Sequence, residues 1–140
     1  MDVINRINAF VGADWSFEDF SIDYERVSIR ISYNAGSNNS DHESNKHNED
    51  QYALIHCNNF IGFSFVGHWD ENIIECMKIE SAGDLIDNSL QEIRRLYGAL
   101  PLPGGGVKNL ESVWYQLNIK LIDGNMIKIV CESFEFKTPS

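Results

Sequence analysis

Hydrophobic and polar positions alternate along much of this chain, and where the alternation stops a helical period replaces it. Val27, Ile29, Ile31 and Tyr33 recur at every second position, with Ser28, Arg30 and Ser32 between them. That is the pattern of a strand with one buried and one wet face. Tyr52 to Cys57 reads as another strand. Ile61, Phe63, Phe65 and Trp69 line one face of a third, opposite Gly62, Ser64 and His68, and Gly67 marks a bulge or close backbone contact. Asp70-Glu71-Asn72 is a turn, and Ile73 to Ile79 returns as a strand. Phe20 to Tyr24 alternates too, which predicts a strand whose wet face is acidic.

Two stretches follow a helical period instead. In residues 2–11, Asp2 is a cap, Val3, Ile7, Phe10 and Val11 form the apolar side, and Gly12 is the stop. Over residues 84–97, Ile86, Leu90, Ile93 and Tyr97 form a stripe. Ser81 and Asp84 offer capping groups there. Arg94 and Arg95 suit the C-terminal dipole, and Gly98 with Pro101 ends the helix.

The last two strands can be set in register. Tyr115, Leu117, Ile119 and Leu121 share a face, as do Ile127, Ile129 and Cys131. A three-residue loop, Asp123-Gly124-Asn125, pairs Leu121 with Ile127, Ile119 with Ile129 and Leu117 with Cys131, whereas a two-residue loop mixes the faces. Val130, Phe134 and Phe136 then fall on the other face.

The short connections imply antiparallel pairing. The expected fold is α+β: a mainly antiparallel, curved sheet of five to seven strands, an N-terminal helix, a helix at about 84–97 packed on the sheet, and a C-terminal β-hairpin. Residues 1–140 make one domain, and the polar tract at 34–50 is expected to be a mobile loop.

Charge adds a second layer. The net charge is −10, and residues 1–80 hold 14 Asp/Glu against 5 Lys/Arg. Such an excess argues against direct binding of nucleic acid and against anionic membranes, and it favours a basic protein partner. From Asp14 to Glu25 there are acids and no basic residue, interleaved with Trp15, Phe17, Phe20, Ile22 and Tyr24. The three cysteines, Cys57, Cys76 and Cys131, lack a short spacing, which points to a reducing, cytoplasmic setting without a disulfide framework. No signal peptide or membrane span is read in the sequence.

Catalytic signatures are missing from the sequence pattern. Gly104-Gly105-Gly106 lacks the Lys-Ser/Thr of a phosphate loop. His56, Cys57, His68 and Cys76 lack metal-ligand spacing, and alternation sends His56 and Cys57 to opposite faces. No nucleophile elbow is present. The expectation is therefore no enzyme, no catalytic residue, no metal and no cofactor.

What is left is recognition: aromatic residues set among acids, an anchor inside a charged rim. The stretch Trp15-Ser16-Phe17-Glu18-Asp19-Phe20, the acidic turn Trp69-Asp70-Glu71-Asn72-Ile73-Ile74, and the terminal hairpin from Tyr115 through Asp123-Gly124 to Phe134 resemble bacterial immunity proteins that accompany polymorphic toxins, including those of contact-dependent growth inhibition. The resemblance implies a small cytoplasmic protein, a monomer or weak dimer, that blocks the active site of one cognate toxin domain. A nuclease toxin presents a basic cleft, which an acidic inhibitor can occupy. The residues expected to contact the partner are Asp14, Trp15, Glu18, Asp19, Asp23, Tyr24, Glu25, Trp69, Asp70, Glu71 and Glu75. Two other readings stay open: an acidic adaptor or chaperone-like module, and a small-molecule-binding α+β domain.

Overall fold

The structure, a computed structural model, describes residues 2–10, 15–23, 26–33, 52–65, 73–98, 100–101, 107–108 and 112–138. The elements run α1 (Val3–Asn8), β1 (Trp15–Ile22), β2 (Arg26–Tyr33), β3 (Tyr52–Asn58), β4 (Gly62–Ser64), β5 (Ile74–Glu80), α2 (Asp84–Tyr97), β6 (Leu100–Pro101), β7 (Val107–Lys108), β8 (Tyr115–Leu121), β9 (Met126–Cys131) and β10 (Ser133–Lys137). The expected α+β class holds. Two four-stranded antiparallel sheets form the body: sheet A in the order β1-β2-β3-β10, and sheet B in the order β4-β9-β8-β5. β6 and β7 form a small ribbon.

The two sheets share two long arms. β3 continues into β4, and β10 continues from β9, so one antiparallel pair passes from sheet A into sheet B. The bend sits at Asn59, whose φ is +55°, and at Glu132. Asn59 Nδ2 donates to the Glu132 carboxylate (3.1 Å), and the Glu132 amide donates to the Asn58 carbonyl (3.1 Å). Corners of this kind let one ladder serve two packed sheets. They also account for two four-stranded sheets where a single curved sheet of five to seven strands was expected.

The bend corrects one expectation. Phe134 and Phe136 were placed opposite Cys131, yet all three are buried in the same core. Glu132 interrupts the alternation where the chain changes sheets, and it turns the β10 side chains inward. Val130 does face the other way, and α2 covers it. The hairpin register is corrected as well. Ile119 pairs with Ile127 and Leu117 with Ile129, two residues from the expected partners, so the buried faces still match. The turn sits one residue earlier than expected: the Leu121 amide donates to the Asn125 carbonyl (2.9 Å) and the Gly124 amide to the Leu121 carbonyl (3.0 Å), which leaves Ile122, Asp123 and Gly124 at the tip.

The main core lies between the sheets. Val27, Ile29, Ile31, Ala53, Ile55 and Cys57 of sheet A meet Met77, Ile79, Leu117, Ile119, Ile127 and Ile129 of sheet B. Helix α1 closes the gap between edge strands β5 and β10. Ile7 is fully buried, Asn8 Oδ1 accepts from the Ile79 amide (2.6 Å), and Arg6 donates to the Phe136 carbonyl (3.1 Å). A six-residue helix is too short to hold its shape alone, so this packing is what sustains it. Its cap is the expected one, with Asp2 accepting from Asn5 N (2.8 Å).

Helix α2 has the expected bounds and packs on the outer face of sheet B. Ile86 and Ile93 join Trp114 and Val130 in a second apolar cluster. Its N-terminus differs from expectation. The N-cap is Gly83, with no side-chain cap bond, and Ser81 and Asp84 do not cap. Space is the reason: a Cβ on Gly83 would come within 2.7 Å of the buried Gln116 Oε1. The C-terminus ends at Gly98 with φ +76°, as the Gly signal predicted.

Candidate functional site

The two sheets differ in what lies on their outer faces. Apolar residues and α2 cover much of sheet B, whereas neither described helix covers sheet A. The outward residues of sheet A named here are half-exposed or exposed, and all but Leu54 are polar: Ser28, Arg30, Leu54, His56, Asn58, Glu135 and Lys137.

A bulge in β1 decides which acids reach this face. Phe17 pairs with Ile31, but the next partner of Arg30 is Asp19, so one residue is extra between them. Simple alternation would send Glu18 and Asp19 to opposite faces. The bulge lets both bond outward-facing partners: Ser32 Oγ donates to Glu18, and Arg30 donates to Asp19 at 2.5 Å. Arg30 also lies over the Tyr52 ring, 5.0 Å from its centroid.

Beside this pair sits a shallow depression of about 330 Å³ lined by Asp19, Ser21, Ser28, Ile29, Arg30, Leu54 and His56. Ser28 Oγ and His56 Nδ1 share a 2.8 Å hydrogen bond. Burial, and then the positive charge of Arg26, hold the His56 pKa below its ordinary value of 6.5. Lys137 lowers it further, and Glu135, the cross-strand partner of His56, opposes this. The imidazole is therefore neutral at pH 7. On the same face Arg26 pairs with Glu135 at 3.7 Å.

The other expected contact residues fall in several places. Trp15 is half-buried in an aromatic cluster, with Phe10 at 5.1 Å and Tyr33 at 5.3 Å between ring centroids, and it helps to close one end of the core. Asp23 lies just past β1, where its carboxylate accepts from the Arg26 amide (2.9 Å). Glu75 belongs to sheet B and pairs with Lys120 at 3.1 Å. A lone antiparallel bridge between Ser16 and Ile73 joins the neighbourhoods of β1 and β5. Asp14, Tyr24, Glu25, Trp69, Asp70, Glu71 and the tract at 34–50 lie outside the described residues. Sequence reasoning singled out neither Arg30, Ser28, Tyr52 nor His56 as a group. Their one signal was the outward half of the strand alternation, set across strands that are distant in sequence.

The described residues hold 12 Asp/Glu and 10 Lys/Arg, close to balance. The remaining stretches hold 9 acids and one base, Lys46. Seven of these acids (Asp14, Asp41, Glu43, Glu49, Asp50, Asp70 and Glu71) belong to the stretches 11–14, 34–51 and 66–72. The described residues that flank them are Phe10 and Trp15, Tyr33 and Tyr52, and Phe65 and Ile73. Trp15 pairs with Tyr33, Ser32 with Tyr52, and Ser16 bridges Ile73, whereas Phe65 packs against Phe20 and Phe63. The acid-rich first half is also part of the scaffold, since β2 and β3 supply as much of the core as β8 and β9.

No protein-family model matches the chain, and no curated protein or solved structure matches it. Among the described residues no group of His, Cys, Asp and Glu could hold a metal ion, and no helix is long and apolar enough to cross a membrane.

Proposed function

We propose that this chain is an immunity protein, which neutralises a cognate bacterial toxin domain by covering its basic active-site cleft. The observation that carries the reading is the distribution of charge. The chain carries a net charge of −10, and 14 of its 21 Asp/Glu fall in residues 1–80. An acidic protein of this kind complements a cleft built to attract phosphate, and the excess charge speeds association at low salt. Among the described residues, Glu18 and Asp19 bring acidic groups to the polar outer face of sheet A. The likeness of Trp15–Phe20, Trp69–Ile74 and the 115–134 hairpin to immunity proteins supports the same reading.

The test is co-expression with any nuclease domain encoded beside this gene. Rescue of growth by the chain, lost when the complex is dissolved by charge-neutralising substitutions at Glu18 and Asp19, is the expected result. Growth arrest that persists with the chain present overturns the reading. An association rate that does not change between low and high salt overturns the charge mechanism.

A further inference from the structure

Resting on that reading, we propose that the depression on sheet A is the seat of one guanidinium group of the basic partner, and that Arg30 holds the place until the partner arrives. The chain's own geometry carries the argument. The Arg30 guanidinium already sits at the rim, donating to Asp19 at 2.5 Å, so the site accepts this chemical group. Arg30 has a second resting place, the Tyr52 ring at 5.0 Å, to which it can keep its hold when Asp19 changes partner. Ser21 and Ser28 supply hydroxyl oxygens inside the depression, and Leu54 supplies an apolar wall for the methylene stem of an arginine. His56, bonded to Ser28, adds no positive charge at neutral pH. Both sides of the Arg30–Asp19 pair are about half-exposed, with side-chain exposures of 45% and 55%, so exchange does not require the fold to open. An exposed pair of this kind contributes little to stability and is readily exchanged for an equivalent one.

The exchange predicts an unusual sign: removing Arg30 tightens binding by more than its charge alone. The probe is a labelled hexa-arginine peptide, titrated at low salt and followed by fluorescence anisotropy. Asp19→Asn is compared with Glu75→Gln, which removes an equal charge from sheet B. Arg30→Gln is compared with Arg26→Gln, which removes an equal charge from the Glu135 pair on the same face. The expected result is about fivefold weaker binding for D19N than for E75Q, and about fivefold tighter binding for R30Q than for R26Q. Binding of the wild type should also weaken as pH falls through the lowered pKa of His56, which then gains a proton in a setting already occupied by Arg26, Arg30 and Lys137, opposed by Asp19 and Glu135. Equal effects within each matched pair overturn the seat and leave the basic-partner reading standing. A peptide that binds no form of the protein at low salt overturns the reading beneath it.

Discussion

The outer faces of the two sheets start from the same strand alternation and end differently. On sheet B, Val130 faces outward in the company of Ile61 and Trp114, and α2 settles over them with Ile86 and Ile93. On sheet A the outward positions of β2 and β3 are Ser28, Arg30, Leu54 and His56, which offer a helix too little apolar surface to repay ordering it. The lesson is that one layer of the fold is closed by hydrophobic contact and the other by cross-strand polar pairs. A face held by polar pairs can exchange them with a partner, whereas a face buried under a helix cannot without partial unfolding.

The comparison breaks most visibly through stability. Trp114→Ala removes a nearly buried ring from beneath α2 and is expected to cost about 3–5 kcal/mol. Leu54→Ala on the open face should cost far less. Equal losses in urea denaturation would mean that sheet A's outer face is not open. Gly98→Ala, at a position with φ +76° and no neighbour within 4 Å, isolates the backbone term at the end of α2 and should cost about 1 kcal/mol. A double-mutant cycle on Arg30 and Asp19 should return a coupling of about 1 kcal/mol or less, because the pair is half-exposed.

The smallest effect is the dependence on pH. The folded pKa of His56 lies below 6.5, so the unfolded chain takes up a proton first as pH falls. Stability is complete above pH 6.5 and declines as pH drops toward the lowered value. His56→Gln should flatten that decline. An unchanged slope between pH 7 and 5 would assign it to other groups.

The sequence carried some of this plainly and some not at all. The period of residues 84–97 fixed α2 from end to end, because an amphipathic stripe and a terminal Gly are both local signals. Strand faces were legible for the same reason in β2, β3 and β8. What failed was non-local. The N-cap Gly83 is set by Gln116 across the helix–sheet contact. The inward turn of Phe134 and Phe136 is set by the corner at Glu132. The bulge that lets Glu18 and Asp19 share a face is set by pairing with β2. Tertiary packing decides each of these, and no window of sequence contains both partners. The candidate site suffered most, since Asp19, Arg30 and His56 come from three strands.

The central claim is that sheet A's outer face, and not the helix-covered face, receives the partner. Amide chemical-shift mapping with the hexa-arginine peptide tests it most directly. The account predicts shifts at Glu18, Asp19, Arg30 and His56, with α2 from Asp84 to Tyr97 unchanged. Shifts concentrated on α2 and the outer face of sheet B, with β1 to β3 silent, would contradict it.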